Sequence, residues 1–296
     1  MPGVTVEVGG VRVSSRSAIG VDVTPVQHAS GQEVDVLLGR DLFDAVKVDI
    51  DFPSRTIAFH DPASYGSPQG AIPVPARLLP NGLRALPVSV QGLPSVNATF
   101  DLGASSPLLM SPRYAERHGL LVGRRVSTSR SVGVAGPSVA KLFSADTLNF
   151  AGIPLSDAPV VVPPTWRNDE REIDSPVYVG LGLLGRFRLM TDYPSHRIWF
   201  VPSPQAGSAP FRKDRSGLQL ELEAGALRVA HVAAGSPAEV AGFAVDEYVT
   251  AIGARPITPE YYDADLYNWQ YGAAGREVVL RLSTGAERKL VLQDYF

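Results

Sequence analysis

The sequence predicts a mainly β protein made of several small units, and three observations carry that expectation. First, 28 glycines and 25 prolines are spread along 296 residues, cutting the chain into short runs bounded by turn formers. Second, apolar and polar residues alternate with a period of two in many of those runs, the signature of half-buried strands. Third, one block recurs. Shifted by 141 residues, Gly39, Leu42, Asp51, Pro53, Ser54, Ile57 and Phe59 fall on Gly180, Leu183, Asp192, Pro194, Ser195, Ile198 and Phe200, and Phe52 falls on Tyr193. At a shift of 142 the hairpin Val6-Glu7-Val8-Gly9-Gly10-Val11 lies over Leu148-Asn149-Phe150-Ala151-Gly152-Ile153. Alternating strands match at apolar positions by chance, but Asp-aromatic-Pro-Ser followed by Ile and Phe at fixed spacing points to a duplicated β unit.

Composition narrows the function classes. The length suffices for two or three domains, each with its own core. A net charge of −3, without a basic stripe or an acidic tail, gives no sign of a nucleic-acid or anionic-membrane partner. The absence of cysteine excludes disulfides, thiol catalysis and cysteine-ligated metals. His28, His60, His118, His196 and His231 are scattered with no His-x-x-x-His pair, so neither a metal nor another cofactor is expected. The N-terminus lacks a basic segment followed by an apolar run, and no run reaches membrane-spanning length.

Taken in order, Val4 to Val8 and Val11 to Val13 read as a hairpin about Gly9-Gly10, and Val34 to Gly39 and Val46 to Phe52 as further strands. Residues 63–82 are rich in turn formers and read as a linker containing a short strand at Ala71 to Val74. Leu86 to Val90 and Val96 to Phe100 form the next hairpin, about Gly92. Ser111 is a good N-cap for a short helix with Pro112 at its first position and Gly119 just past its end, which gives His118 in the last turn a structural role. Residues 203–213 form a second linker by composition. Beyond it, Leu218 to Leu222 and Ala226 to Val232 read as strands, Ser236 and Glu239 as a capping box around Pro237, and Thr258 as the cap of a helix from Pro259 to about Gln270. That helix would place Tyr262, Leu266 and Trp269 on one face, where they serve either as core or as ligand contacts. Strands from Val278 to Leu282 and Lys289 to Leu292 close the chain.

The stretch with the strongest chemical content is Phe100-Asp101-Leu102-Gly103-Ala104-Ser105-Ser106, an acidic residue ending an apolar strand and followed by a tight turn of small residues. A carboxylate there must be hydrogen-bonded or neutralised, and Gly103 lets backbone amides approach it. An Asp that only caps a turn would leave the same four residues. Asp101-Leu102-Gly103-Ala104 nevertheless resembles the Asp-Thr/Ser-Gly-Ala/Ser signature of retropepsin-like aspartic peptidases, in which two such loops from two lobes share one water. Leu102 departs from the pattern, because the family carries a hydroxyl residue there that bonds across to the opposite lobe.

The resemblance spans residues 4 to about 202 and includes the apolar-apolar-Gly segments Leu37-Leu38-Gly39 and Tyr178-Val179-Gly180. It implies two retropepsin-like β-barrel lobes, the first partial (residues 1–62) and the second at residues 83–202. The hairpin carrying Gly133 and Gly136 is then the candidate flap over an extended substrate, or else an ordinary hairpin. The first-lobe counterpart of Asp101 would fall before Met1, and no second Asp-x-Gly occurs, so the first lobe is expected to be N-terminally truncated. Asp51 and Asp192 end matching strands and read as structural.

The run Gly235-Ser236-Pro237-Ala238 through Ala241-Gly242 to Asp246 and Ile252-Gly253 is similar to PDZ domains, with Val245 where that family has Gly. The similarity implies that residues 214–296 are a PDZ domain. A peptide would add as a strand beside Leu218, its C-terminal carboxylate held by the loop whose candidate residues are Gly217, Leu218, Gln219 and Leu220. The expected function is an aspartic endopeptidase-like protein acting on a peptide or protein substrate through a paired-Asp-activated water at Asp101 and Gly103, with a module for protein C-termini. As this chain it would be inert, since one Asp cannot divide the acid and base roles. The alternatives are a non-catalytic pseudopeptidase or peptide-binding scaffold, and a homodimer pairing Asp101 with its symmetry mate. If a parent protein carries a signal peptide, the cell envelope or periplasm is the expected compartment.

Overall fold

The structure, a computed structural model, describes residues 2–133, 136–166 and 174–296. The first unit holds strands β1 (Pro2–Val8) and β2 (Val11–Ser17), helices α1 (Thr24–Ser30) and α2 (Arg40–Ala45), then β3 (Lys47–Asp51) and β4 (Thr56–His60). Strands β5 (Ile72–Pro75) and β6 (Arg77–Leu78) lead to the second unit. That unit begins with β7 (Arg84–Val90), β8 (Val96–Phe100), β9 (Leu108–Met110) and α3 (Pro112–Arg117), and continues with β10 (Ser127–Gly133) and β11 (Gly136–Ala145). Next come β12 (Leu148–Phe150), β13 (Ile153–Leu155), β14 (Ala158–Val162), β15 (Val177–Val179), α4 (Leu181–Leu184), β16 (Phe187–Asp192) and β17 (Arg197–Pro202). The C-terminal unit contains β18 (Leu218–Glu223), β19 (Ala226–Val232), α5 (Pro237–Val240), β20 (Tyr248–Ile252), β21 (Arg255–Pro256), a 3-10 helix (Asp265–Tyr271), β22 (Glu277–Leu282) and β23 (Glu287–Val291). The protein is mainly β, as its alternation and turn content predict.

The repeat is expressed as register. In hairpin β3–β4, Asp51 opposes Thr56 and Val48 opposes Phe59; in β16–β17, Asp192 opposes Arg197 and Leu189 opposes Phe200, the same pairs shifted by 141. The turns match, with Arg55 at φ 55 and His196 at φ 53. Hairpins β1–β2 and β12–β13 share the register Val6–Val13 and Leu148–Leu155, with left-handed Gly10 and Gly152 at the shift of 142. The two copies then pair with each other. Strand β3 runs antiparallel to β16 with Asp49 opposite Met190, its own counterpart, so a local two-fold axis passes through that pair. The resulting sheet has the order β4-β3-β16-β17-β5. Across it the Arg188 guanidinium donates to both oxygens of buried Asp49 at 2.9 and 2.7 Å, and buried Lys47 lies 3.4 Å from Asp192. Both Asp residues of the sheet interior are therefore paired, which is what burial of a carboxylate demands.

The main core is shared by the two units. Phe150, Phe187 and Phe200 are fully buried and meet edge to face at centroid distances of 5.2 to 5.6 Å. The short helices obey their caps. The Ser111 hydroxyl accepts from Tyr114 N–H at 3.1 Å with Pro112 at the first position, and the Ser236 hydroxyl accepts from Glu239 N–H at 3.3 Å. The Glu239 carboxylate reaches back to Gly235 N–H, one residue earlier than a capping box requires.

Three expectations are corrected. Neither lobe is a barrel: the sheet carrying the Asp101 strand is an open path, β10-β11-β14-β9-β15-β8-β7-β12-β13 with β6 added on β7, and among the described residues its ends do not join. Closure would need the free edge of β10, and that edge instead meets the C-terminal unit. Residues 34–39 form no strand, because their counterpart β15 exists only by pairing with β8 and β9, and among the described residues no strand flanks Val36, Leu37 and Leu38, which are 62%, 64% and 39% exposed. The helix expected from Pro259 to Gln270 is confined to Asp265–Tyr271 and is of 3-10 type, preceded by turns. Tertiary packing overrides helix periodicity here, since buried Tyr261 turns inward to accept from the Trp269 indole N–H at 3.2 Å while Tyr262 stays half-buried.

Candidate active site

Asp101 sits just past the C-terminal end of β8. Strand β15 lies between β8 and β9, parallel to the first and antiparallel to the second. The loop 101–107 must therefore arch over the end of β15, and the chain leaving β15 stitches it down. Asp101 N–H donates to Val179 O, Gly180 N–H to Pro107 O, Leu181 N–H to Ala104 O and Gly182 N–H to Ser105 O, at 2.7 to 3.1 Å. The two glycines are steric requirements. A Cβ at Gly180 would lie 2.4 Å from Ser106 O and 2.5 Å from Ala104 O, and one at Gly182 would meet the Pro107 ring at 2.7 Å. Backbone hydrogen bonds at both ends, satisfied in a tight space, fix the position of a loop with little side-chain bulk.

Within the loop, half-buried Asp101 accepts Gly103 N–H at 2.8 Å through one carboxylate oxygen. Among the described residues this is its one side-chain hydrogen bond, and it forms no ion pair. A Cβ at Gly103 would come within 3.2 Å of that oxygen, which explains the residue choice. Leu102 packs against the main core, so the position that bears a hydroxyl in the resembling family serves here as an apolar anchor. Asp51 and Asp192 lie elsewhere, in the sheet of the repeat: Asp51 accepts from Ser54 N–H at 3.2 Å and Asp192 faces Lys47.

Gly103, Ala104, Ser105 and Ser106 form one wall of a cavity of about 530 Å³. Strand β10 forms a second wall and the C-terminal unit a third. Gly133 and Gly136 face each other at the end of hairpin β10–β11, and the tip between them, Val134 and Ala135, lies outside the described residues. Gly217, Leu218, Gln219 and Leu220 all line the cavity, so two groups of residues singled out separately in the sequence share one cleft. The hairpin is tied to the C-terminal unit along its length. The Gln219 side chain donates to Arg130 O at 2.8 Å and accepts from Arg130 N–H, Arg130 pairs with Glu221, and Thr128 Oγ1 lies 3.0 Å from His231 Nε2. Burial holds the His231 imidazole below its usual pKa, against the effect of its Thr128 bond.

The loop preceding β18 is already occupied by a carboxylate of the chain. Half-buried Asp214 accepts from Ser216 N–H at 2.9 Å, Ser216 Oγ–H at 2.7 Å, Gly217 N–H at 2.9 Å and Tyr295 O–H at 2.9 Å. Leu218 N–H is bonded to Ser216 Oγ at 3.0 Å. Burial pushes the Asp214 carboxyl up despite those four donors, and it drives the Tyr295 phenol up as well. Sequence reasoning assigned the amides of this loop to a ligand and missed Asp214; the signal was the Asp-x-Ser-Gly spacing of a local Asx turn. Among the described residues no cluster of His, Asp and Glu could hold a metal ion.

Residues 86–186, from β7 through α4, match the family model described as aspartyl protease. No curated protein sequence is significantly similar to the chain. Among solved structures, a retropepsin-like aspartic protease from Rickettsia conorii is similar with a TM-score of 0.34 and 17% identity over 44% of this chain and 89% of that one. The basic 7S globulin of soybean gives 0.30 and 11% over 56% and 52%, and an HtrA-type protease with a decapeptide gives 0.26 and 10% over 84% and 93%.

Proposed function

We propose that residues 83–202 are an aspartic-peptidase lobe in which Asp101 is one member of a catalytic pair, and that residues 214–296 are a PDZ-like peptide-binding module. The observation that carries the reading is the Asp101 loop itself, stapled to Val179–Gly182 inside the stretch that matches the aspartyl protease model. In such a pair two close carboxylates share one proton; one oxygen takes a proton from water while the other carboxyl gives one to the peptide carbonyl. The repeat supports a location for the second loop. Gly39 is the counterpart of Gly180, yet among the described residues a Cβ there would meet nothing within 4 Å and no loop closes on it. A second Asp loop docked beside Gly39 would stand across the local two-fold from Asp101. The cavity then takes an extended peptide between β10 and β18. With the amides of Gly217 and Leu218 already engaged, the module takes an internal peptide segment rather than a free C-terminus.

The test compares the 296-residue chain with one extended upstream by a segment bearing a second Asp loop, each assayed on denatured casein between pH 3 and pH 7. The expected result is an inert short chain and acid-favoured cleavage by the extended one, abolished by Asp101→Asn. An extended chain that folds and remains inert would overturn the peptidase reading in favour of a non-catalytic peptide-binding scaffold, the second reading, which the core-packed Leu102 favours. Cleavage by the short chain that rises with the square of its concentration would instead show two copies supplying one Asp each.

A further inference from the structure

The cleft shared by the Asp101 loop, β10 and β18 is flanked by two strands that each end a sheet, since among the described residues β10 pairs as a strand only with β11 and β18 only with β19. Helix α1, from the first unit, packs against both of these strands. Val26 lines the cavity directly. At the end of the helix the chain turns through left-handed Gly31 at φ +67, pressed on the Tyr262 ring so closely that a Cβ there would lie 1.9 Å from a ring carbon. Tyr262 and Tyr267 line the same cavity. A segment that is distant in sequence from both walls therefore bridges them.

Its chemistry matches the cleft. From Val23 to Gln32 the chain reads Val-Thr-Pro-Val-Gln-His-Ala-Ser-Gly-Gln and carries no Asp, Glu, Lys or Arg. The cavity is hydroxyl-rich and apolar, and its charges are spoken for: Arg130 is paired with Glu221, which also holds Arg228, and Asp214 is saturated by four donors. An uncharged segment loses no ionic hydration on entering such a site, whereas a charged one would be left without a partner.

We infer that residues 23–32 are a built-in occupant of this cleft, held by Val26 and by the contact of Gly31 with Tyr262, and that they compete with any peptide entering it. The favoured incoming ligand is an internal, uncharged, hydroxyl- and amide-rich segment resembling the occupant. The inference deepens the peptidase reading by naming what controls entry, and its test reads binding alone. All proteins carry Asp101→Asn, so failure here and failure of the catalytic reading are separate results.

The probe is a fluorescein-labelled synthetic peptide with the sequence of residues 20–34, titrated by fluorescence polarisation against the full chain. Binding to a protein whose competent state is scarce is weakened by the fraction that is open, so displacing the occupant should raise affinity by about tenfold or more. Gly31→Val forces a side chain into the Tyr262 ring and is expected to give that gain. Val26→Glu, which places an unpaired charge in the cleft, should give the same gain and decides the matter if Gly31→Val fails to fold by circular dichroism. Equal affinity of the parent and the opened variants would overturn the inference.

Discussion

The side-chain amide of Gln219 pairs with the backbone of Arg130 at both ends, donating to its carbonyl and accepting from its N–H. It stands in for the peptide group of a neighbouring strand, so one rung of the free edge of β10 is completed by a residue 89 positions later in the chain. Gln219→Ala leaves both groups without that partner and should cost the hairpin about 1 to 2 kcal/mol. Amide exchange at Arg130 should accelerate by roughly 5- to 30-fold. Unchanged exchange would mean that water or the Glu221 ion pair holds the edge instead.

Gly180 and Gly39 begin equivalent helices but answer differently to the same substitution. Gly180→Ala drives a methyl into the carbonyls of Ala104 and Ser106 and should cost about 1 to 3 kcal/mol, measured by urea unfolding. Gly39→Ala enters open space at an ordinary φ of −93° and should stay within about 0.5 kcal/mol of the parent. Equal costs would count against the asymmetry of the two copies.

Asp214→Asn keeps the shape of the side chain but replaces one acceptor oxygen with a donor, so at least one of Ser216 N–H, Gly217 N–H and Tyr295 O–H loses its partner. The expected loss is about 1 to 3 kcal/mol. Because burial raises the Asp214 pKa in the folded protein, the folded state binds this proton more tightly than the unfolded one. Its contribution is present at acid pH and is lost as pH rises from the ordinary carboxylate range through the raised folded value. Urea titrations across that window should show the parent losing this increment with rising pH and the Asn variant lacking it.

His231 has the opposite dependence. Its folded pKa is lowered, burial being the main cause, so the unfolded chain binds the proton more readily. The contact of His231 with Thr128 should be fully stable above the ordinary histidine pKa, about 6.5, and weaken as pH falls through it. His231→Gln, which can still bond Thr128, should flatten the pH profile of unfolding between about pH 5 and 7. A profile identical to the parent would assign that slope to other groups.

Much of this molecule is legible in its sequence because it is local. The hairpin registers, the positive-φ turns at Gly10 and Gly152, the Ser111 and Ser236 caps and the tight turn of Asp101 on Gly103 each depend on residues within a few positions of one another. The 141-residue repeat is legible for the same reason, since two copies of a local pattern are two copies of a local structure. Residues 34–39 misled for a complementary reason. Their alternation is that of a strand, but a strand exists only where neighbours accept its backbone groups.

Sequence alone determined a mainly β chain, a duplicated unit and one carboxylate on a small-residue loop. Tertiary structure alone decided that the Asp101 loop, hairpin β10–β11 and the C-terminal unit enclose one cleft, that Asp214 saturates the amides before β18, and that α1 reaches the same place. Thr24-Pro25 could have announced that helix, but nothing nearby says where it docks. Those contacts join residues about 90 or more positions apart, such as Arg130 with Gln219, Thr128 with His231 and Gly31 with Tyr262. Periodicity and capping report a backbone's local preference, whereas docking is decided by which unpaired edges and apolar faces find each other once the chain has folded.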